Sequence, residues 1–195
     1  FDHPDLLSVA QGGVLLNGYD FVSEVEFAND GNGRDSDASD PGDWVDRTGN
    51  PPAVQQFVDA QECGDFDVGQ TRIPSSWHGT FIAGQIAART NNNLGVAGLN
   101  WGGNALVLPV RVSGKCGALL SDILDGLRWA AGLPVLGIPP NTHPAKVINL
   151  SFGGSGLVQG VIRPPSMTSP IAAHWWSWPP GTATPPSPGR PIAAA

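Results

Sequence analysis

The chain has 195 residues, is 41% hydrophobic and carries a formal charge of -7. That length can bury one substantial core or form part of a larger domain. The acidic balance, with no Lys/Arg cluster, argues against a nucleic-acid partner. No apolar run reaches the roughly 18 residues of a membrane-spanning helix, so no membrane span is expected. A first residue of Phe1 rather than Met reads as part of a mature polypeptide, not a whole precursor.

The first distinctive stretch is acidic. Asp30, Asp35, Asp37, Asp40, Asp43 and Asp46 crowd a segment bearing Gly, Asn and Pro, which predicts a solvated loop rather than a helix. Asp30, Asp35, Asp37 and Asp40 are also candidate calcium ligands, because hard cations take carboxylate and carbonyl oxygens from such loops. Asp30-Gly31-Asn32-Gly33-Arg34-Asp35 lacks EF-hand spacing, however. Cys63 and Cys116 each adjoin a glycine, outside any CxxC and away from histidine. Metal binding is therefore disfavoured, and a disulfide and a pair of buried thiols both stay open.

From Ser75 to Asn149 helix and strand patterns alternate. Ser75 or Ser76 is placed to cap a helix from His78 to about Arg89, whose small face of Ala83, Gly84 and Ala87 suits close packing on a sheet. Asn91-Asn92-Asn93 and Gly95 end it. Residues 105–112 form an apolar run suited to a strand covered on both faces. Ser121 then caps a second helix with Ile123, Leu124, Leu127, Ala130 and Ala131 at helical spacing, stopped by Gly132 and Pro134. Residues 147–152 make a third apolar run. Strand, helix and strand predict a right-handed crossover in a parallel sheet. Ligands on such sheets gather at the carboxyl ends of strands, where Ser151, Gly153 and Gly154 fall. Beyond Gly156 the chain is rich in Pro and Trp, holds no Asp, Glu or Lys, and shows neither period.

A lone histidine is ordinarily structural. His78 differs in opening a helix that continues with Gly79, Thr80, Ala83 and Gly84, which holds it close to a sheet with its ring free, as a general base requires. The segment HGTFIAGQIAA, residues 78–88, resembles the histidine motif of the subtilisin-like serine proteases, or subtilases. His3-Pro4-Asp5-Leu6, Gly95-Val96-Ala97-Gly98, residues 108–112 (LPVRV) and residues 148–154 (INLSFGG) match further family motifs in the family's order.

The resemblance implies a three-layer α/β subtilisin-like fold around a central parallel sheet, incomplete in this chain and covering residues 1–156. It implies a monomeric serine endopeptidase acting on polypeptides, with His78 as general base. Leu150, Ser151, Phe152 and Gly153 would line the cleft and pair with an extended substrate, opposite an edge of Gly114, Lys115 and Gly117. The acidic loop, the two cysteines and Trp129-Ala130-Ala131-Gly132 look most like the secreted bacterial branch, in which Cys63 and Cys116 are expected to pair. Calcium would be structural, and no catalytic cofactor is implied. Phe81 stands where a second histidine is common, at a packing position.

The departures bear on activity. The family's aspartate lies in an Asp-Thr-Gly strand end before the motif at His3, outside this sequence, and Asp2 and Asp5 are poor substitutes. The family's serine follows Gly-Thr, whereas Ser166-Met167 follows Pro164-Pro165. The oxyanion strand Ala-Ala-Gly-Asn is also missing. Yet the codons for residues 175–182, WWSWPPGT, read one base earlier, permit Leu-Val-Val-Val-Ala-Ala-Gly-Asn. A change of frame near residues 155–158 is expected, with residues 157–195 its product and the fragment inactive. The alternatives are a non-catalytic peptide-binding pseudo-protease and an acidic calcium-binding extracellular module.

Overall fold

The computed structural model describes residues 3–151 and the backbone of a strand at Ala172–Ala173. The scaffold is built on a parallel pair, β1 (Tyr19–Asp20) and β4 (Val110–Arg111), in the register Tyr19 to Val110 and Asp20 to Arg111. An isolated parallel bridge between Leu15 and Val107 extends the contact. Gly18 is required where the two segments meet, since a Cβ there would lie 1.8 Å from the Pro109 carbonyl oxygen.

Two apolar faces flank this pair. On one, Tyr19, Phe21, Val112 and Trp129 form a core with Leu108, Val110 and Ile123, burying the inner stripe of α4 (Leu120–Ala130). On the other, Leu15 and Val107 meet Leu6, Ala83, Ile86 and Ala87, the inner stripe of α3 (His78–Ala87). Helix, sheet and helix thus form the three layers of the α/β fold. Gly126 permits the close approach of α4, because a Cβ there would sit 2.6 Å from Val112 Cγ1.

A third cluster lies around α2 (Pro52–Asp59), where Val45, Val54 and Val58 pack with Phe27 from the short α1 (Val25–Ala28). Here β2 (Val45–Asp46) and β3 (Arg72–Ile73) pair antiparallel. The Cys63–Cys116 disulfide is formed beside this cluster and spans a separation of 53 residues. In the chain-entropy account a loop of that length stabilises by about 4 kcal/mol.

Several local expectations are corrected. Neither Ser75 nor Ser76 is the residue that caps α3: Trp77 holds that position in a left-handed conformation, φ 48°. The Ser75 hydroxyl instead accepts from Trp44 N–H at 3.2 Å. Nor does Ser121 cap α4, which starts one residue earlier behind Leu119; the first-turn amides of Asp122 and Ile123 both reach the Leu119 carbonyl at 3.1 Å. Within residues 105–112 only Val110–Arg111 is regular strand, partly because Pro109 has no N–H to give. It pairs with β1, while β5 (Val147–Ile148) pairs in parallel with β6 (Ala172–Ala173), in a region where no strand period is legible. Among the described residues no helix is long and apolar enough to cross a membrane.

Candidate active site

Helix α3 starts at His78, so its first turn carries the imidazole, and the sheet-side stripe of Ala83 and Ala87 fixes where that turn stands. His78 is exposed and lines a cavity of about 450 Å³. Every residue from Val107 to Ser113 lines it in succession, together with Asp40, Asp43, Ser76, Thr80 and Ser151. Leu6, Leu15 and Ala83 of the α3-side core line it as well. β1 is held to β4 by Tyr19 N–H donating to the Pro109 carbonyl at 3.2 Å and Phe21 N–H to that of Arg111 at 2.7 Å.

The expected site residues divide. His78 and Ser151 share the cavity. Leu150 faces a second, smaller hollow of about 50 Å³ together with α4 residues Ile123 and Leu127. Phe152 and Gly153 lie outside the described residues. Gly114 and Gly117 form a tight turn, with Gly114 N–H donating to the Gly117 carbonyl at 3.0 Å, and Ser113 is the neighbour that reaches the cavity. Lys115 does not present its side chain to the cleft. It is 6% exposed, its ammonium lies 5.0 Å from the centre of the Trp44 ring, and burial pushes its pKa down. The pairing is physical: the ring face offers a desolvated ammonium negative potential.

The four calcium candidates are not brought together. Asp30 binds Arg111 at 2.7 Å, and Asp35 accepts from Asn32 at 2.5 Å. Asp37 and Asp40 accept from the backbone of Ser39 and Gly42, two residues on, at 3.0 and 2.8 Å. Among the described residues no group of three His, Cys, Asp or Glu side chains is placed to hold a metal ion.

Asp5 is likewise spent elsewhere, accepting from the Asn92 amide at 2.7 Å and Val96 N–H at 3.2 Å. The Asn92 bond is the main force holding its carboxyl below the usual range. A charged site unmarked in the sequence lies deeper, where the buried Arg111 guanidinium meets Asp20, Asp30 and the Ala28 carbonyl. Burial pushes the Asp20 carboxyl up to about 7, against the opposing pull of Val22 N–H and Arg111.

Helices on both sides of a parallel strand pair, with a histidine opening one of them beside a cavity, define a scaffold of the α/β class. A family model described as the subtilase family matches residues 12–176, and the chain belongs to that family. The extracellular protease of Xanthomonas campestris pv. campestris is 52% identical over 142 residues, 73% of this chain and 21% of that protein. The extracellular basic protease of Dichelobacter nodosus is 45% identical over 156 residues, 80% of this chain and 23% of that protein. A solved structure described as proteases from Pseudoalteromonas arctica superposes with TM-score 0.64 at 49% identity, covering 82% of this chain and 40% of its own. The chain therefore spans less than a quarter of the length of these two relatives.

Proposed function

We propose that this chain carries the general base and part of the substrate cleft of a secreted serine endopeptidase that cleaves extracellular polypeptides. The observation that carries this reading is His78, at the start of α3, sharing one cavity with Ser151 and residues 107–113. In a serine protease the base takes the nucleophile's proton and returns it to the leaving amine. An extended substrate would add to the cleft by backbone hydrogen bonding, as in strand augmentation, with side-chain hollows selecting among sequences. Secretion is supported by the extracellular proteases among its relatives and by the disulfide, which suits an oxidising compartment.

The 195 residues by themselves are inactive in this reading, since the sequence matches the family's pattern at neither the orienting aspartate nor the nucleophilic serine. A fluorophosphonate titrant tests this. No adduct on the purified chain is expected; stoichiometric labelling of any serine would show that a complete site assembles from these residues alone.

A further inference from the structure

Five of the six carboxylates in the acidic stretch have local or ion-paired partners, and Asp43 does not follow that pattern. Asp37 and Asp40 are satisfied two residues along the chain, whereas Asp43 reaches 33 positions ahead to Ser76. Its two oxygens accept the Ser76 N–H and the Ser76 hydroxyl, both at 2.7 Å. The same hydroxyl oxygen accepts from His78 N–H at 3.4 Å. Asp43 is thus two hydrogen bonds from the backbone of the proposed base, and it lines the same cavity.

The next residue reaches the other way. Trp44 N–H donates to Ser75 Oγ at 3.2 Å, while its ring lies under the Lys115 ammonium. Lys115 belongs to the Gly114–Gly117 turn, is tied to the Phe27 carbonyl through its own N–H at 2.9 Å, and precedes the disulfide at Cys116. Gly42 makes the dense junction possible: at φ 108° it would place a Cβ 2.6 Å from Ser75 Oγ and 2.9 Å from the Trp44 ring.

We propose that Asp43 and Trp44 act as a positioning clamp that fixes the spacing between His78 and the Gly114–Gly117 turn, making the acidic loop part of the proteolytic site's framework. This rests on the reading of His78 as the general base. The helix that His78 opens has no side-chain cap of its own, so the clamp supplies the carboxylate that a helix start favours.

Hydrogen exchange by mass spectrometry on the 195-residue chain tests the clamp without requiring catalysis. Asp43→Ala should speed exchange across residues 75–82 by at least about tenfold, since it removes both charge-assisted bonds to Ser76. Trp44→Ala should speed both that segment and residues 113–119. Asp43→Asn keeps an acceptor for the Ser76 amide and should recover most of the protection, while α4 stays at the parent rate. Ser76→Ala should reproduce the loosening at residues 75–82 and serves if the Asp43→Ala chain does not fold. Parent-like exchange in Asp43→Ala, equal acceleration in α4, or no recovery with Asp43→Asn would overturn the proposal. Failure here would leave the role of His78 standing, and a failure of the protease reading would leave the exchange pattern unchanged.

Discussion

Gly126→Ala and Gly84→Ala make the same chemical change in two helices, and the packing gives them opposite signs. Alanine in a helix interior is favoured over glycine by about 1 kcal/mol. At Gly84 the new methyl would meet nothing within 4 Å, so Gly84→Ala should stabilise by about that amount. At Gly126 it would lie 2.6 Å from Val112 Cγ1 and 3.1 Å from Val110 Cγ1. Both neighbours are β-branched and stiff, so α4 must shift, and overpacking of this kind costs about 1–3 kcal/mol. Subtracting the propensity gain leaves a net loss of up to roughly 2 kcal/mol, and about 1–3 kcal/mol between the two variants. Urea unfolding followed by tryptophan fluorescence measures both, with Trp129 in the affected core. If Gly126→Ala stabilises as much as Gly84→Ala, the close packing of α4 on β4 is wrong.

Three further outcomes follow from the structure. Reducing the Cys63–Cys116 bond, or replacing both cysteines with alanine, should cost about 2–5 kcal/mol in unfolding experiments; identical melts with and without reductant would contradict this. Arg34 binds Asp122 at 2.6 Å and Asp125 at 2.7 Å, and the Asp122 side chain is only 2% exposed. Arg34→Ala should therefore destabilise by about 3–5 kcal/mol through the buried carboxylate it strands, and Asp122→Asn in that background should recover part of the loss. Asp20 has its carboxyl raised from 3.8 to about 7, so the folded state holds a proton that the unfolded chain releases. Its stability contribution is full below pH 4 and is lost as pH rises toward 7, at a slope of at most about 1.4 kcal/mol per pH unit. Asp20→Asn should flatten that slope, and an unchanged profile in pH-dependent denaturation would refute the assignment.

Helices α3 and α4 were legible because their apolar residues repeat at helical spacing over two or more turns, whereas the shorter α1 and α2 were not read. Ile123, Leu127 and Ala130 in α4 and Ala83 and Ala87 in α3 announce an inner stripe. Strand β1 was not, since Gly18 and Asp20 interrupt its apolar run and the partner that makes a buried Asp20 tolerable, Arg111, stands 91 positions away. The surroundings of Lys115 were hidden for a related reason, since only the fold brings Trp44 beneath its ammonium. Asp43 looks like its acidic neighbours in sequence, and its distinction is a serine beside His78 that the fold alone delivers. The histidine motif, by contrast, was readable from local sequence, because the small residues that let α3 lie on the sheet follow His78 within the same helix.

The central claim is that His78 is a catalytic base, and a graft tests it most directly. The segment of the Xanthomonas campestris extracellular protease that matches 142 residues of this chain would be replaced by those matching residues alone, leaving the remainder of that protein in place. The account predicts a secreted, peptide-hydrolysing chimera whose kcat/KM falls by at least about ten-thousandfold with His78→Ala. A folded chimera without activity, or a His78→Ala chimera within tenfold of its parent, would contradict it.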